Sequence, residues 1–471
     1  MSLILIFGII LIIAVLSCKI TNRTGLPLLV GFILIGIFLG RNFDFVDVSN
    51  AEHICNFALL FIIFTGGFQT NFAKAKPVLG VSSLLSALGT VLTAAAAAAF
   101  AYFVFDMEFY AAMLLGAVIS ATDAASVFSI LSTKKLNLKN KLDSVLEIES
   151  GSNDPFAYMM TVVFLTLVIG SSQNVVVMVL LQISIGAAIG IAGAKLGQLL
   201  INKLNMQING LHAVLLGGIA LFIYGMAELL QGNGFLAVYI GGIILGNSKL
   251  VYKMLLSKLF STVSMLMQII LFIVLGILWL PLYFFPTLLP GLLFALFLFF
   301  IARPAVVFLL MKPFKFKLKE ITLVSWAGFR GASSIVFATY LLSAGLPYAE
   351  YVFSMVFFVC LLSVIFQGSL IAPLAKLLGL VDAEKKILKP IEHYVKEAQD
   401  ELLEIVNPTG SAFCGKVIHE LDLPEDVYIV MIRRGNKYIV PTESTLIMEN
   451  DTFVIACGDE KKRKALTRLL S

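Results

Sequence analysis

The chain has 471 residues, of which 59% are hydrophobic and only 13% charged, against about 25% charged in a soluble globular protein. So apolar a composition excludes a water-soluble enzyme and requires a chain that crosses a membrane many times. The formal net charge of +5 is small; it gives no reason to invoke nucleic acid, and the placement of the lysines matters more than their sum.

A helix needs about 20 apolar residues to span the bilayer. By that measure thirteen spans are expected, at approximately 2–18, 26–40, 53–70, 78–104, 108–132, 142–168, 174–200, 211–230, 233–247, 256–279, 284–311, 319–344 and 349–375. The first could be mistaken for a secretion signal, and Val15-Leu16-Ser17-Cys18 faintly resembles a lipoprotein cleavage site. No lysine or arginine precedes the apolar run, however, so it reads as a transmembrane helix. The fourth span carries an alanine tract, Ala94 to Ala99, suited to close helix packing. Alternate loops are lysine-rich: Lys19 and Arg23; Lys74 and Lys76; Lys134, Lys135, Lys139 and Lys141; Lys203; Lys249 and Lys253; Lys312, Lys315, Lys317 and Lys319. The loops between them hold Asp44, Asp47, Asp106, Glu108 and Glu350, with Arg41 the one clear basic residue. By the positive-inside rule the lysine-rich loops are cytoplasmic, the N-terminus is outside and the C-terminus inside, as for a multi-pass protein of the cell (inner) membrane.

The membrane domain is expected over 1–380, followed by a charged linker at 381–400 and a small cytoplasmic α/β domain at 401–471. In that tail Val427 to Ile432 alternates as a strand. Arg433-Arg434-Gly435-Asn436 is a hairpin turn signal, Tyr438 to Val440 and Thr452 to Ala456 are further strands, and Glu460 to Leu470 reads as a closing helix. The five cysteines (Cys18, Cys55, Cys360, Cys414 and Cys457) are scattered and odd in number, so they predict no disulfide framework.

Chemistry concentrates in three spans. The sixth holds Glu149-Ser150-Gly151-Ser152-Asn153-Asp154-Pro155, and an ionisable group at bilayer depth is a functional-site hypothesis by default. Ser150 and Asp154 are helix neighbours four residues apart, as are Glu149 and Asn153. Pro155 lacks an N–H, and the carbonyl it frees near Gly151 is expected to be available to a partner or an ion. Hydroxyl, amide and carboxylate oxygens thus converge in one turn, the ligand type that hard cations prefer; the plainer reading is a polar patch joining helices. The fifth span is interrupted at Ser120-Ala121-Thr122-Asp123, the twelfth at Gly328-Phe329-Arg330-Gly331-Ala332. Paired broken helices in two halves of a membrane protein point to an inverted repeat with a midplane site, where an aspartate can neutralise helix N-termini and an arginine C-terminal carbonyls. Arg330 could otherwise snorkel to a surface. Arg303, in the eleventh span, needs a carboxylate partner; Glu149 is the candidate and Glu147 the rival. Glu228 is expected at the outer interface, Gln367 in an interhelical hydrogen bond, and His53 and His212 at solvated span ends.

At these residues the chain resembles the monovalent cation:proton antiporters of the NhaP type. The resemblance rests on Gly116 to Val127, on Glu149 to Pro155, on Gly234 to Asn247, on Ala302-Arg303-Pro304 and on Gly328 to Ala332, and it covers essentially 1–380. It implies a thirteen-helix fold with a mobile ion-binding bundle and a dimerisation bundle, hence a homodimer. It implies that Asp154 is the essential proton and cation carboxylate, with Asp123, Thr122 and Ser150 completing the cation site. Electroneutral members of the family carry Asn where this chain has Asn153, so the resemblance implies one proton per cation. The tail resembles TrkA-C domains at Glu425 to Val430, Pro441 and Asn450-Asp451-Thr452. The two modules together resemble the bacterial cell-volume-regulation potassium/proton exchangers. This favours K⁺ over Na⁺ as cargo, needs no cofactor, and makes the tail a dimeric sensor of a small ligand.

Burial penalises a charged carboxylate and a nearby cation restores it, so one aspartate can hold a proton or a cation in competition. Alternating access then gives exchange. Two rival readings fit less well: an intramembrane aspartyl protease, whose G-x-G-D context is missing, and a gated cation channel, because mid-depth carboxylates in paired broken helices suit alternating access better than a continuous pore.

Overall fold

The structure is a computed structural model. It describes residues 5, 8–9, 11–16, 28–42, 47–123, 127, 136–170, 174–204 and 209–382, and in the tail 402–407, 413–420, 427–435, 437–439, 441–442 and 445–457. The chain divides into a unit at Met1–Asp382 and a second at Ala383–Ser471. Much of the expected first span, most of the linker and the expected closing helix lie outside the described residues.

Among the described residues, the first unit is predominantly helical. Its helices are α1 (Leu28–Asn42), α2 (Val48–Gln69), α3 (Phe72–Phe105), α4 (Phe109–Ile119), α5 (Leu142–Val168), α6 (Val175–Lys203), α7 (Asn209–Leu229), α8 (Gly234–Asn247), α9 (Lys253–Ile277), α10 (Pro281–Phe297), α11 (Arg303–Met311), α12 (Leu318–Trp326), α13 (Ala332–Ser343), α14 (Ala349–Leu362) and α15 (Gly368–Leu377). Among the described residues, seven helical runs are long and apolar enough to cross a membrane. The protein is therefore a polytopic α-helical membrane protein.

Backbone polar groups must be satisfied within the helices at bilayer depth, and the helix ends show how. Asn174 caps α6 by accepting from the N–H of Val176 at 2.9 Å, and Asn233 caps α8 by accepting from that of Leu236 at 2.9 Å. Glycines set the closest crossings. A side chain at Gly36 of α1 or Gly276 of α9 would strike the other helix's backbone, and Gly246 of α8 lies against the Phe68 carbonyl of α2. Small residues permit this approach where lipid offers no hydrophobic drive. Helices α1, α2, α6, α7, α8 and α9 pack on one another in this way.

The remaining helices show an internal repetition. Helix α3 contains a π turn at Leu85–Gly89, a broken span follows, and then α5 with Pro155 inside it. In the second half α10 passes through a π turn at Leu298–Ala302 into α11, a second broken span follows, and α14 passes through a π turn at Ser363–Gln367 into α15. Four helices, α6 to α9, lie between the two triplets, so corresponding members are seven spans apart, and an odd offset reverses their direction, which is an inverted repeat. The segment after the first break also pairs with the end of the second triplet: Lys139 N–H donates to the Leu380 carbonyl at 2.9 Å and Asp382 N–H to that of Asn137 at 2.9 Å.

In the tail, β1 (Leu402–Val406), β2 (Val427–Arg434), β3 (Lys437–Ile439) and β4 (Thr452–Cys457) form an antiparallel sheet in the order β1-β4-β2-β3. Ile432, Ile447, Phe453 and Ile455 form its core. The hairpin turn falls at Gly435, whose φ of 61° suits glycine. Strand β2 runs two residues further than its alternation predicts, because Arg433 and Arg434 pair with Tyr438 and Lys437. Strand β1 carries no alternation and was not expected; its register is supplied by β4. Arg434 Nε and Nη2 each donate at 2.8 Å to the two oxygens of buried Asp451. Burial works against the Asp451 charge, but the bonds from Arg434 and from the Met448 N–H outweigh it and hold the carboxyl below the ordinary aspartate range.

Candidate functional site

Two interrupted spans meet here. Helix α4 ends at Ile119, and Ala121–Asp123 continue without helical bonding; α12 ends at Trp326 and α13 begins at Ala332. The two breaks are tied together. Asp123 N–H donates to the Phe329 carbonyl at 2.9 Å. Arg330 Nη1 donates to the carbonyls of Ser120 at 2.6 Å and Ala121 at 3.1 Å, and Ser334 Oγ donates to that of Ala121 at 3.4 Å. Arg330 is 1% exposed, so it is buried rather than snorkelling. Its guanidinium lies on the carbonyls that end α4, the negative pole of that helix. Asp123 lies at the opposite pole: its carboxylate abuts Gly331 at the start of α13, where a Cβ would come within 2.2 Å of Oδ2. Glycine is required there by space.

The second break is held from behind. Arg330 N–H donates to Ser363 Oγ at 2.8 Å, Ser363 Oγ donates to Gln367 Oε1 at 2.6 Å, and Gln367 Nε2 donates to the Trp326 carbonyl at 3.2 Å. Ser363 and Gln367 bound a π turn, so that irregularity serves the irregularity beside it, as π turns at functional sites do.

Helix α5 brings its polar turn to the first break. Thr122 Oγ1 is the hub: it lies 3.0 Å from Ser150 Oγ, accepts from Asn153 Nδ2 and reaches Glu149 Oε1 at 3.5 Å. Asp154 is 8% exposed, and Ser333 lies near its carboxylate. Asp154 Oδ1 and Asn153 Oδ1 are buried and meet no hydrogen-bond donor among the described residues. Arg303 Nη2 donates to Glu149 Oε1 at 2.9 Å, with both side chains buried. That is the partner expected from the sequence, and the rival Glu147 does not take it. Arg303 is packed so tightly on Gly328 that a Cβ there would lie 2.6 Å from Nε.

All eight residues singled out from the sequence (Thr122, Asp123, Glu149, Ser150, Asn153, Asp154, Arg303 and Arg330) thus sit within one connected group. They divide by chemistry. Glu149 and Arg303 neutralise each other, Arg330 and Asp123 face helix poles, and Thr122, Ser150, Asn153 and Asp154 offer oxygens with bonding capacity left over.

Several expectations are corrected. Helix α5 runs unbroken through Pro155, and the carbonyl shown taken is that of Pro155 itself, by Asn233 Nδ2 at 2.8 Å. Glu228 is no free interface residue; it is half-buried, and both its oxygens accept from Tyr158 OH, at 3.2 and 3.3 Å. His212 is buried, its ring 5.2 Å from that of Tyr252. Ser333, Asn233 and Tyr239, which covers Gly151, were not singled out. Asn233 had a signal, since an Asn before an apolar run is a helix cap; Tyr239 had none.

Two crossed, broken helices with a buried carboxylate beside them, inside an inverted repeat, define the class of ion-coupled secondary transporters. Comparison with known proteins agrees. The family model "sodium/hydrogen exchanger, transmembrane" matches residues 8–377, and that of the TrkA-C domain matches 402–469. The chain belongs to the sodium/hydrogen exchanger family. It is similar to the K(+)/H(+) antiporter NhaP of Alkalimonas amylolytica, at 30% identity over 96% of this chain and 81% of that one. It is also similar to the K(+)/H(+) antiporter NhaP2 of Shewanella oneidensis, at 31% identity over 100% of this chain and 83% of that one. The structure of the sodium proton antiporter MjNhaP1 from Methanocaldococcus jannaschii at pH 8 covers 80% of this chain and 100% of its own, with a TM-score of 0.70 and 25% identity.

Proposed function

We propose that this protein exchanges a monovalent cation for a proton by alternating access, with Asp154 holding one or the other. The observation that carries the proposal is the unsatisfied Asp154 carboxylate oxygen, buried beside the crossing of two broken helices. A charge there is costly unless neutralised, so a proton and a cation compete for the same oxygens. Thr122, Ser150 and Asn153 supply further oxygen ligands, and Asp123 adds charge from the neighbouring break. Glu149, Arg303 and Arg330 hold the crossing in shape. K⁺ is the favoured cargo, because relatives similar over nearly the whole chain carry that name; Na⁺ is the second reading, supported by the structural neighbour.

Asn153 leaves Asp154 as the lone carboxylate of its turn, which supports one proton per cation and no net charge moved. The lysine-rich loops support an inner-membrane placement with the N-terminus outside and the tail in the cytoplasm. The membrane domain over 1–380, the linker over 381–400 and the tail over 401–471 are read as a homodimeric carrier with a ligand-sensing regulator.

The test is dye-reported proton movement in proteoliposomes, challenged separately with K⁺, Na⁺ and Li⁺. The native protein is expected to couple cation entry to proton exit, with K⁺ most effective. Asp154→Asn is expected to abolish the flux with every ion. Flux that survives Asp154→Asn would move the exchange site elsewhere.

A further inference from the structure

A cavity of ≈ 460 Å³ lies away from the crossing, lined by Tyr158, Asn174, Met178, Gln182, Glu228 and Gln231 among others. Asn174, Glu228 and Gln231 lie at or just beyond the ends of α6 and α7 opposite the lysine-rich loops, while Tyr158 lies within α5. We propose that this cavity is a second monovalent-cation site, which collects the ion on that side of the membrane and passes it toward Asp154. The proposal rests on the antiport reading above.

Three observations carry it. The carboxylate of Glu228 takes the Tyr158 hydroxyl at 3.2 and 3.3 Å and the Gly234 N–H at 3.1 Å, with no basic residue among those lining the cavity. Gln182 is 5% exposed, lines the cavity, and its Oε1 meets no donor among the described residues. A carboxylate beside an unpartnered amide oxygen is the ligand set a hard cation takes. Finally, Tyr158 follows Asp154 by one helical turn, on the same face of α5. Its ring is packed by Phe235 at 5.0 Å, Phe337 at 5.9 Å and Tyr340 at 5.9 Å. Tyr158, one turn from Asp154 on α5, thus already has its hydroxyl bound to Glu228.

A plain capping role for Glu228, on the N–H of Gly234, needs an acceptor oxygen but no charge. Glu228→Gln keeps the acceptor and removes the charge, so it separates the two roles. Exchange is to be measured in right-side-out and everted membrane vesicles carrying the full chain. With Glu228→Gln, the half-saturating K⁺ concentration is expected to rise about tenfold, the worth of one charge-assisted contact. This rise is confined to the face opposite the lysine-rich loops; the other face stays native, and Glu228→Asp restores the lost affinity. No change, or an equal change at both faces, overturns the proposal. If Glu228→Gln does not accumulate, Gln182→Leu is read in the same way. If the native protein exchanges nothing, the antiport reading fails by itself and the cavity is tested by thermal stabilisation. Asp154→Asn protein should then still be stabilised by K⁺ and Asp154→Asn with Glu228→Gln should not; equal stabilisation of the two overturns the site.

Discussion

At Glu149 and Arg303, two charges that each would be untenable alone are 2.9 Å apart and buried. Removing one leaves the other uncompensated, which costs about 3–5 kcal/mol. Glu149→Gln is therefore expected to lower the melting temperature of the purified protein sharply. The reversed pair, Glu149→Arg with Arg303→Glu, should recover part of the loss. A reversed pair no more stable than either single change would show that the surroundings, not the partner, hold each charge. This pairing was legible in the sequence because an intramembrane arginine demands an acid and few acids are available. The sequence favoured Glu149 over Glu147, and the structure bears that out, with Arg303 Nη2 on Glu149 Oε1 at 2.9 Å. Asn153 carries a different expectation. With Asn rather than Asp at position 153, preceding Asp154, the exchange rate in proteoliposomes should be independent of an imposed membrane potential, and Asn153→Asp should make it dependent.

The two broken spans are where elements, rather than single residues, create the site. Each break exposes unsatisfied backbone groups that isolated helices could not tolerate in lipid. Crossing the breaks lets Arg330 cover the carbonyls ending α4 while Asp123 faces the start of α13. Gly331→Ala is expected to push Asp123 aside, because the added carbon would lie 2.2 Å from its Oδ2. Overpacking of this kind costs about 1–3 kcal/mol, so the variant should still reach the membrane but exchange at least tenfold more slowly. Native exchange by Gly331→Ala, scored against its membrane abundance, would mean that the Asp123 position is not critical. Asn233 works between elements too, capping α8 while holding the Pro155 carbonyl of α5. Asn233→Ala should destabilise the protein by about 1–2 kcal/mol, measurable as a lower unfolding temperature in detergent. The breaks were readable as clusters of small and polar residues inside apolar runs. The π turns were not, because Leu85–Gly89, Leu298–Ala302 and Ser363–Gln367 have ordinary helical composition.

For the whole molecule, the abrupt change in composition near residue 380 coincides with the boundary between the two units, the first strongly apolar and the second far more polar. Deleting 401–471 is expected to leave exchange in proteoliposomes intact while altering its response to pH or ligand. A truncated, folded protein unable to exchange would make the tail part of the transport machinery. Within the tail, the Arg434–Asp451 pair gives a pH signature. Because the folded state holds the Asp451 carboxyl below its ordinary value, the pair's stabilisation is complete above about pH 4, the unfolded aspartate value. It is lost as pH falls further and the folded carboxyl takes up its proton. Limited proteolysis of the full chain should find the tail resistant at neutral pH and more readily cut in acid. In Asp451→Asn that difference should shrink and cutting at neutral pH should rise.

Sequence alone determined that this protein lives in a membrane, roughly where its helices run, which two are broken, and which residues carry charge into the bilayer. Those properties follow from the cost of exposing polar groups to hydrocarbon, which acts on every residue independently of its distant neighbours. Only the tertiary structure decided what those residues meet. It placed Thr122 against Ser150 and Asn153, set Arg303 on Glu149 at bonding distance, tied Glu228 to Tyr158, and buried His212. It also paired β1 with β4. Each of these depends on side chains far apart in the chain arriving at one point, and no local pattern encodes a distance between helices.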